Sequence, residues 1–164
     1  MLDASRRDLL LGVGGAIVAS LAGCLDDQDD SDWELEDPIS LTSATQYQGP
    51  NCDCCDEYAA YLDDQLETDL ETVVTDELGS IKDEYGIADE LRSCHTLELD
   101  GYVVEGHVPA EVIATLLEEK PAIDGIALPG MPAGSPGMGG DKDGPWTVYE
   151  LGSGSGDDTV FTEL

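Results

Sequence analysis

Thr96-Leu97-Glu98-Leu99-Asp100-Gly101-Tyr102-Val103-Val104-Glu105 reads as two short strands around a two-residue turn. Asp-Gly accepts the positive φ angles of the primed turns, whose twist matches that of the strands they join. On the C-terminal side, Pro109 stands at a helix start and Val112, Ile113, Leu116 and Leu117 supply an apolar face. Lys120-Pro121 ends that helix. On the N-terminal side, Leu78 to Tyr85 forms a short helix stopped by Gly86. Thr72-Val73-Val74-Thr75 is a short buried strand before it. Tyr58, Leu62 and Leu66, joined by Ala59 and Leu70, recur at helical spacing and predict a helix from near Asp56 to Asp69. Ser40 to Gln48 alternates weakly as a first strand, broken by Gly49-Pro50-Asn51.

The order from 41 to 120 is then β-α-β-α-β-β-α, which resembles the thioredoxin fold. The fold class expected is α/β, thioredoxin-like, with a central mixed sheet flanked by helices and an extra C-terminal loop and strand. The extra part is Ile126-Ala127-Leu128, a Gly/Pro-rich loop from Pro129 to Pro145, and Trp146-Thr147-Val148-Tyr149. The domain is expected to run over 41–151, with 152–164 as a flexible C-terminal tail. In the thioredoxin arrangement the reactive cysteines lie between the first strand and first helix, where residues 52–55 stand. Arg92-Ser93-Cys94-His95-Thr96 resembles the stretch before the hairpin, with His95 in place of a cis-proline. The two segments, some forty positions apart, would face each other.

Lys and Arg total 6 and Asp and Glu 37 among 164 residues, a formal net charge of −31. The 141 residues from Cys24 onward carry 4 basic and 35 acidic side chains, so the acidity belongs to the main body. No basic stripe exists to neutralise phosphates, which excludes nucleic acid as a partner. Charge-driven binding to an anionic membrane is excluded for the same reason. An apolar fraction of 41% argues for a folded core. Self-repulsion of such a surface is relieved where the Debye length shrinks to about 3 Å, at 1 M salt. The surface therefore reads as adapted to brine, the alternative being an acidic protein from an ordinary cell.

The first residues read as targeting signals, set apart from the fold. Ser5-Arg6-Arg7-Asp8-Leu9-Leu10 resembles a twin-arginine export signal. The apolar run Leu9–Leu21 is short of the ~20 residues that span a bilayer. It leads to Leu21-Ala22-Gly23-Cys24, which looks like a lipobox with Cys24 as the lipidated residue. An uncleaved signal-anchor helix is the alternative. Residues 26–37 hold eight acidic side chains, a self-repelling run that makes 24–40 an acidic tether. On this reading residues 1–23 are removed. The domain is displayed on the outer face of the cytoplasmic membrane, touching the membrane only through the lipid.

With Cys24 assigned to the anchor, Cys52, Cys54, Cys55 and Cys94 remain. Two disulfides would suit an exported protein. Against them, a bond between neighbours such as Cys54 and Cys55 is strained, and C-x-C-C does not read as the C-x-x-C of a dithiol oxidoreductase. Metal binding accounts for the spacing better. Thiolates on a tight turn beside a helix N-terminus are stabilised as anions. The two His of the chain, His95 and His107, lie in Ser93-Cys94-His95-Thr96 and Glu105-Gly106-His107-Val108-Pro109. Met131 and Met138 lie in the Gly/Pro-rich loop, which either lays thioethers over a thiolate site or is a surface connector. Soft thiolates and thioethers select Cu(I), whereas Zn²⁺ rarely takes a thioether.

These motifs, in this order over about residues 41–150, resemble the CopG-like copper-resistance proteins. The resemblance implies copper handling outside the cytoplasm, on a thioredoxin-like fold. Tyr58 departs from it, standing where Trp is expected. The expected ligands are Cys52, Cys54, Cys55, Cys94, His95, His107, Met131 and Met138. One Cu(I) takes roughly two to four such donors, so more than one ion is expected. The expected function is Cu(I) sequestration, delivery or resistance, with other exported copper-handling proteins as partners. A thiol–disulfide or copper oxidoreductase is the alternative function, and zinc the alternative metal.

Overall fold

A computed structural model describes residues 33–152 and 159–164. Arg6, Arg7, Cys24 and most of the acidic tether lie outside the described residues. The elements are β1 (Ala44–Gln48), α1 (Asp53–Asp64), β2 (Glu71–Val74), α2 (Leu78–Glu84), β3 (His95–Leu99), β4 (Tyr102–Glu105), α3 (Ala110–Glu119), β5 (Gly125–Ala127), β6 (Thr147–Leu151) and β7 (Val160–Glu163). They form one sheet in the order β2-β1-β3-β4-β5-β6-β7. β1 pairs with β2 in parallel and with β3 antiparallel. The β3–β4 hairpin turns at Asp100 and Gly101, with φ of 50° and 90°, as the Asp-Gly pair requires. The first four strands and three helices thus take the thioredoxin-like arrangement. The sheet is mixed throughout, since β4–β5 is parallel and β5–β6–β7 antiparallel.

Successive residues of a strand face opposite sides of a sheet, and the core divides accordingly. Val104 and Ile126 join Tyr58 and Leu62 of α1 and Val112, Ile113 and Leu116 of α3 in the larger core. Their neighbours Val103 and Ala127 join Ile87, Leu91 and Leu151 in a smaller one on the other face. α3 begins after Pro109, whose missing N–H would have no partner in a first turn. Among the described residues no helix is long and apolar enough to cross a membrane.

Three boundaries differ from the sequence expectation. α1 runs over Asp53–Asp64 rather than from near Asp56 to Asp69, so Cys54 and Cys55 stand on its first turn and Cys52 at its cap. The folded body starts by Trp33, inside the stretch read as tether. Trp33 stacks on Trp146 with centroids 5.2 Å apart, Tyr61 donates its O–H to the Trp33 carbonyl at 2.6 Å, and buried Ile39 bridges to Leu66. Trp33, Leu35 and Ile39 dock the acidic segment, because apolar burial outweighs exposed charge repulsion that falls off through solvent. Val160–Glu163, read as tail, is a strand on β6, closed by the mutual backbone bonds of Trp146 and Leu164 at 2.9 and 3.0 Å. The Gly/Ser-rich run before it conceals a four-residue edge strand from any periodicity.

Candidate metal centre

The site lies where the first turn of α1 faces the start of β3 and the residues after β4. Cys52 caps α1, and Cys54 and Cys55 follow on its first turn. Cys52 and Cys55 form a disulfide, with Cα atoms 5.2 Å apart. This corrects the reading of C-x-C-C as unlike a dithiol motif. Cys52-Asp53-Cys54-Cys55 contains a C-x-x-C whose ends one helical turn brings within bridging distance. Cys54 and Cys94 are free thiols. Cys54 Sγ lies 3.7 Å from Cys52 Sγ and 3.9 Å from Cys94 Sγ. The forty-residue gap is therefore closed at the site, as the thioredoxin-like order requires.

Cys94 is the hinge between sulfur and imidazole. His107 Nε2 lies 3.0 Å and His95 Nδ1 3.3 Å from its Sγ. The other nitrogen of His107 sits 2.7 Å from the Pro136 carbonyl, which can only accept. Nδ1 therefore carries the proton, and Nε2 presents a lone pair towards Cys94. Burial holds the His107 pKa below its ordinary value and pushes that of His95 far lower, with His107 and Lys82 adding repulsion to the His95 cation. Both rings are thus neutral, the state in which imidazole binds metal. Burial, and then Cys54, push the Cys94 thiol up to about 12. In the metal-free protein the thiol donates to His107, and a soft cation would take the place of that proton.

Two sets of donors converge within 4.8 Å: Cys52, Cys54, Cys55 and Cys94, and Cys94, His95 and His107. Cys94 belongs to both. Tyr58 fills the space behind the rings, its own ring 4.6 Å from His95 and 5.1 Å from His107. Its hydroxyl donates to the Val108 carbonyl at 2.7 Å, and burial raises its pKa well above normal. His95 Nε2 is buried without a hydrogen-bond partner.

The Gly/Pro-rich loop lies against α1. A Cβ on Gly137 would stand 2.7 Å from Tyr58 N and 3.0 Å from the Cys54 carbonyl, so only glycine permits the approach. Met138 follows, half-buried, with its N–H on the Ser135 carbonyl at 2.9 Å. Met131, at the loop's beginning, is 41% exposed. The loop thus touches the site by its backbone at Pro136 and Gly137. Trp33 fastens the same loop by donating to the Gly134 carbonyl at 3.0 Å, and Lys142 lies over Trp146.

Residues that sequence reasoning passed over support the site from behind. Lys82 and Glu105, both buried, form an ion pair next to β3. Gln46 of β1 donates to the Cys55 carbonyl at 2.9 Å and to Gln48, which donates to Asp56 at 2.6 Å. The signal for Lys82 was its rarity, since it is one of four basic residues after Cys24.

Two solved structures, "Copper resistance protein copG- Form 2" and "Copper resistance protein copG- Form 1", match the chain with TM-scores of 0.66 and 32% identity. The match covers 78% of this chain and 99% and 98% of those chains. The chain belongs to the CopG copper-resistance family. Residues 91–138 also match the family described as "Protein of unknown function, DUF411". No curated protein matches. That 91–138 segment carries Cys94, His95, His107, Met131 and Met138, while the cysteine turn of this CopG-family chain stands outside it. The segment also contains the hairpin, so one continuous stretch of chain supplies the imidazole side of the centre.

Proposed function

We propose that the protein binds copper as Cu(I) and serves copper handling. The observation that carries this reading is the set of donors around Cys94 Sγ: His107 Nε2 at 3.0 Å, His95 Nδ1 at 3.3 Å and Cys54 Sγ at 3.9 Å. Thiolate and imidazole together suit Cu(I) or zinc. The copper-resistance names of the matching structures favour copper. Once the Cys52–Cys55 bond is reduced, its two sulfurs join the set. Cys94, common to both groups, can then bridge two ions through its remaining lone pairs. Met131 and Met138 would adjust affinity.

The test is anaerobic Cu(I) titration of the reduced protein against a competing chelator, read beside native mass spectrometry. Two or more equivalents are expected, with copper displacing zinc. Saturation at one equivalent, unchanged in His107→Ala, would overturn the multinuclear reading, and a preference for zinc would overturn copper.

The disulfide favours a second reading, a thiol–disulfide or copper oxidoreductase. Reduction of Cys52–Cys55 takes two electrons and two protons from an external dithiol, or two electrons from two Cu(I) that leave as Cu(II) while the sulfurs remain as two thiolates. Insulin reduction without copper binding would select this reading. We further propose that the domain is exported through the Arg6-Arg7 signal and held by lipid on Cys24 outside the cytoplasmic membrane. There, in brine, other exported copper-handling proteins would exchange metal with it. Membrane fractionation tests the anchor: wild type should sediment with membranes and Cys24→Ser should not, and identical partition sinks the idea.

A further inference from the structure

Cys94 and His95 stand side by side at the entry to β3, where the chain leaves a short 3₁₀ turn at Asp89–Leu91. His95 pairs with Gln48 of β1 and its carbonyl accepts the Gly106 N–H at 3.2 Å, while Cys94 itself stands outside the ladder. What grips the segment on both sides of the donor pair is a carboxylate. Glu105, wholly buried on β4, accepts the Ser93 N–H at 2.5 Å through Oε1 and the Thr96 hydroxyl at 2.6 Å through Oε2. Ser93 and Thr96 are the residues immediately before Cys94 and after His95. Each oxygen of one carboxylate thus grips one end of the donor pair.

Lys82, on α2, completes the arrangement. Its ammonium pairs with Glu105 Oε1 and donates to Thr96 Oγ1 at 2.9 Å. Removing both charges from water is costly, and a buried pair is often no more stabilising than apolar residues of equal volume. Global stability is therefore a weak reason for the pair, whereas local orientation is a sufficient one. Gly106 closes the same frame from the other side. A Cβ there would meet the Leu128 carbonyl at 2.5 Å and Ser93 Cβ at 2.9 Å, so the bare backbone lets β4 approach the Ser93 turn. His107 follows one residue later, so the carboxylate that fixes Cys94 and His95 is carried by the strand that places His107.

We propose that Lys82 and Glu105 are positioning residues for the metal centre, holding Cys94 and His95 at the geometry that meets His107. This rests on the copper-binding reading above. Partners one step behind a ligand are worth about 10–100-fold in metal affinity, by orienting it. The pair hydrogen-bonds to no donor atom of the centre; it acts through the segment it clamps, and the charge of Lys82 also bears on His95.

The test compares wild type with Glu105→Gln, Lys82→Met and the double variant Lys82→Met/Glu105→Leu. Three quantities are read: thermal unfolding of the metal-free reduced protein, Cu(I) affinity by chelator competition, and the Ser93 amide proton shift by NMR. Glu105→Gln should lose 10–100-fold in affinity and move the Ser93 amide upfield. The double variant should regain metal-free stability lost in Lys82→Met, because no lone buried charge remains, yet stay weak in copper binding. A double variant that recovers both stability and affinity would show a merely structural pair and overturn the proposal. So would single variants that bind as wild type does. If wild type itself binds no copper, the binding reading falls and the clamp is judged on the metal-free amide shift alone. An unmoved Ser93 amide in Glu105→Gln then overturns it. Should the double variant not fold, Thr96→Val, which deletes one hydroxyl of the clamp, takes its place with the same expected loss.

Discussion

The two walls of the site are built on different principles. The sulfur wall, Cys52, Cys54 and Cys55, stands at the cap and first turn of a helix, and Cys52 and Cys54 remain partly open to solvent. The imidazole wall, His95 and His107, is sealed from solvent behind Tyr58, with ring centroids between 4.6 and 5.1 Å apart. On the first wall Cys52 and Cys55 are joined as a disulfide and Cys54 is a free thiol. The second cannot change without disturbing the core. Under the proposed function, exchange would begin at the partly open Cys52 and Cys54, while ligand geometry is set on the packed side. Cys94, partly exposed and bonded to both, joins them.

Truncation tests that contrast most strongly. His95→Ala should cost about 2–4 kcal/mol of metal-free stability, the range for emptying a well-packed buried site. Cys54→Ala, on the open wall, should cost under about 1 kcal/mol. Urea unfolding of the reduced, metal-free proteins measures both, and equal losses would break the distinction between the walls.

A smaller effect should appear in the pH dependence. Burial, the leading cause, lowers the pKa of His95 and His107 below the ordinary 6.5. The unfolded chain then binds protons that the native state refuses, so metal-free stability is full above pH 6.5 and declines as pH falls below it. Cys94 has the opposite sign. Its pKa, raised by burial from 9.0 to about 12, gives stability that is present below pH 9 and lost as pH rises towards 12. Thermal melts between pH 5 and 10 should show both flanks. His95→Gln should flatten the acid flank and leave the alkaline one, and an unchanged acid flank would show that the sealed wall titrates like an exposed one.

Much of this was legible because it is local. The Asp100-Gly101 hairpin, the helix after Pro109 and the order of elements follow from turn chemistry and periodicity, which act over a few residues. The cysteine, histidine and methionine types, with the spacing of the cysteines, also point to soft-metal chemistry. The Cys52–Cys55 bond was within reach of the same reasoning. The adjacent Cys54 and Cys55 mask it, since its ends meet only across one helical turn. Trp33 and β7 were not accessible in this way. Each is a short segment whose order comes from partners elsewhere, Trp146 for the ring and β6 for the strand.

By itself the sequence determined the fold class, the acidity of the surface and the donor types, all of which are properties of residue kind and near spacing. Only the tertiary structure decided which donors meet. The lone pair of His107 depends on the carbonyl of Pro136, 29 residues away, and the orientation of Cys94 on a carboxylate twelve residues beyond Ser93 and a lysine on α2. A hydrogen bond has a direction and a reach of about 3 Å. Whether two groups satisfy it is settled by packing, after the chain has brought its distant parts together.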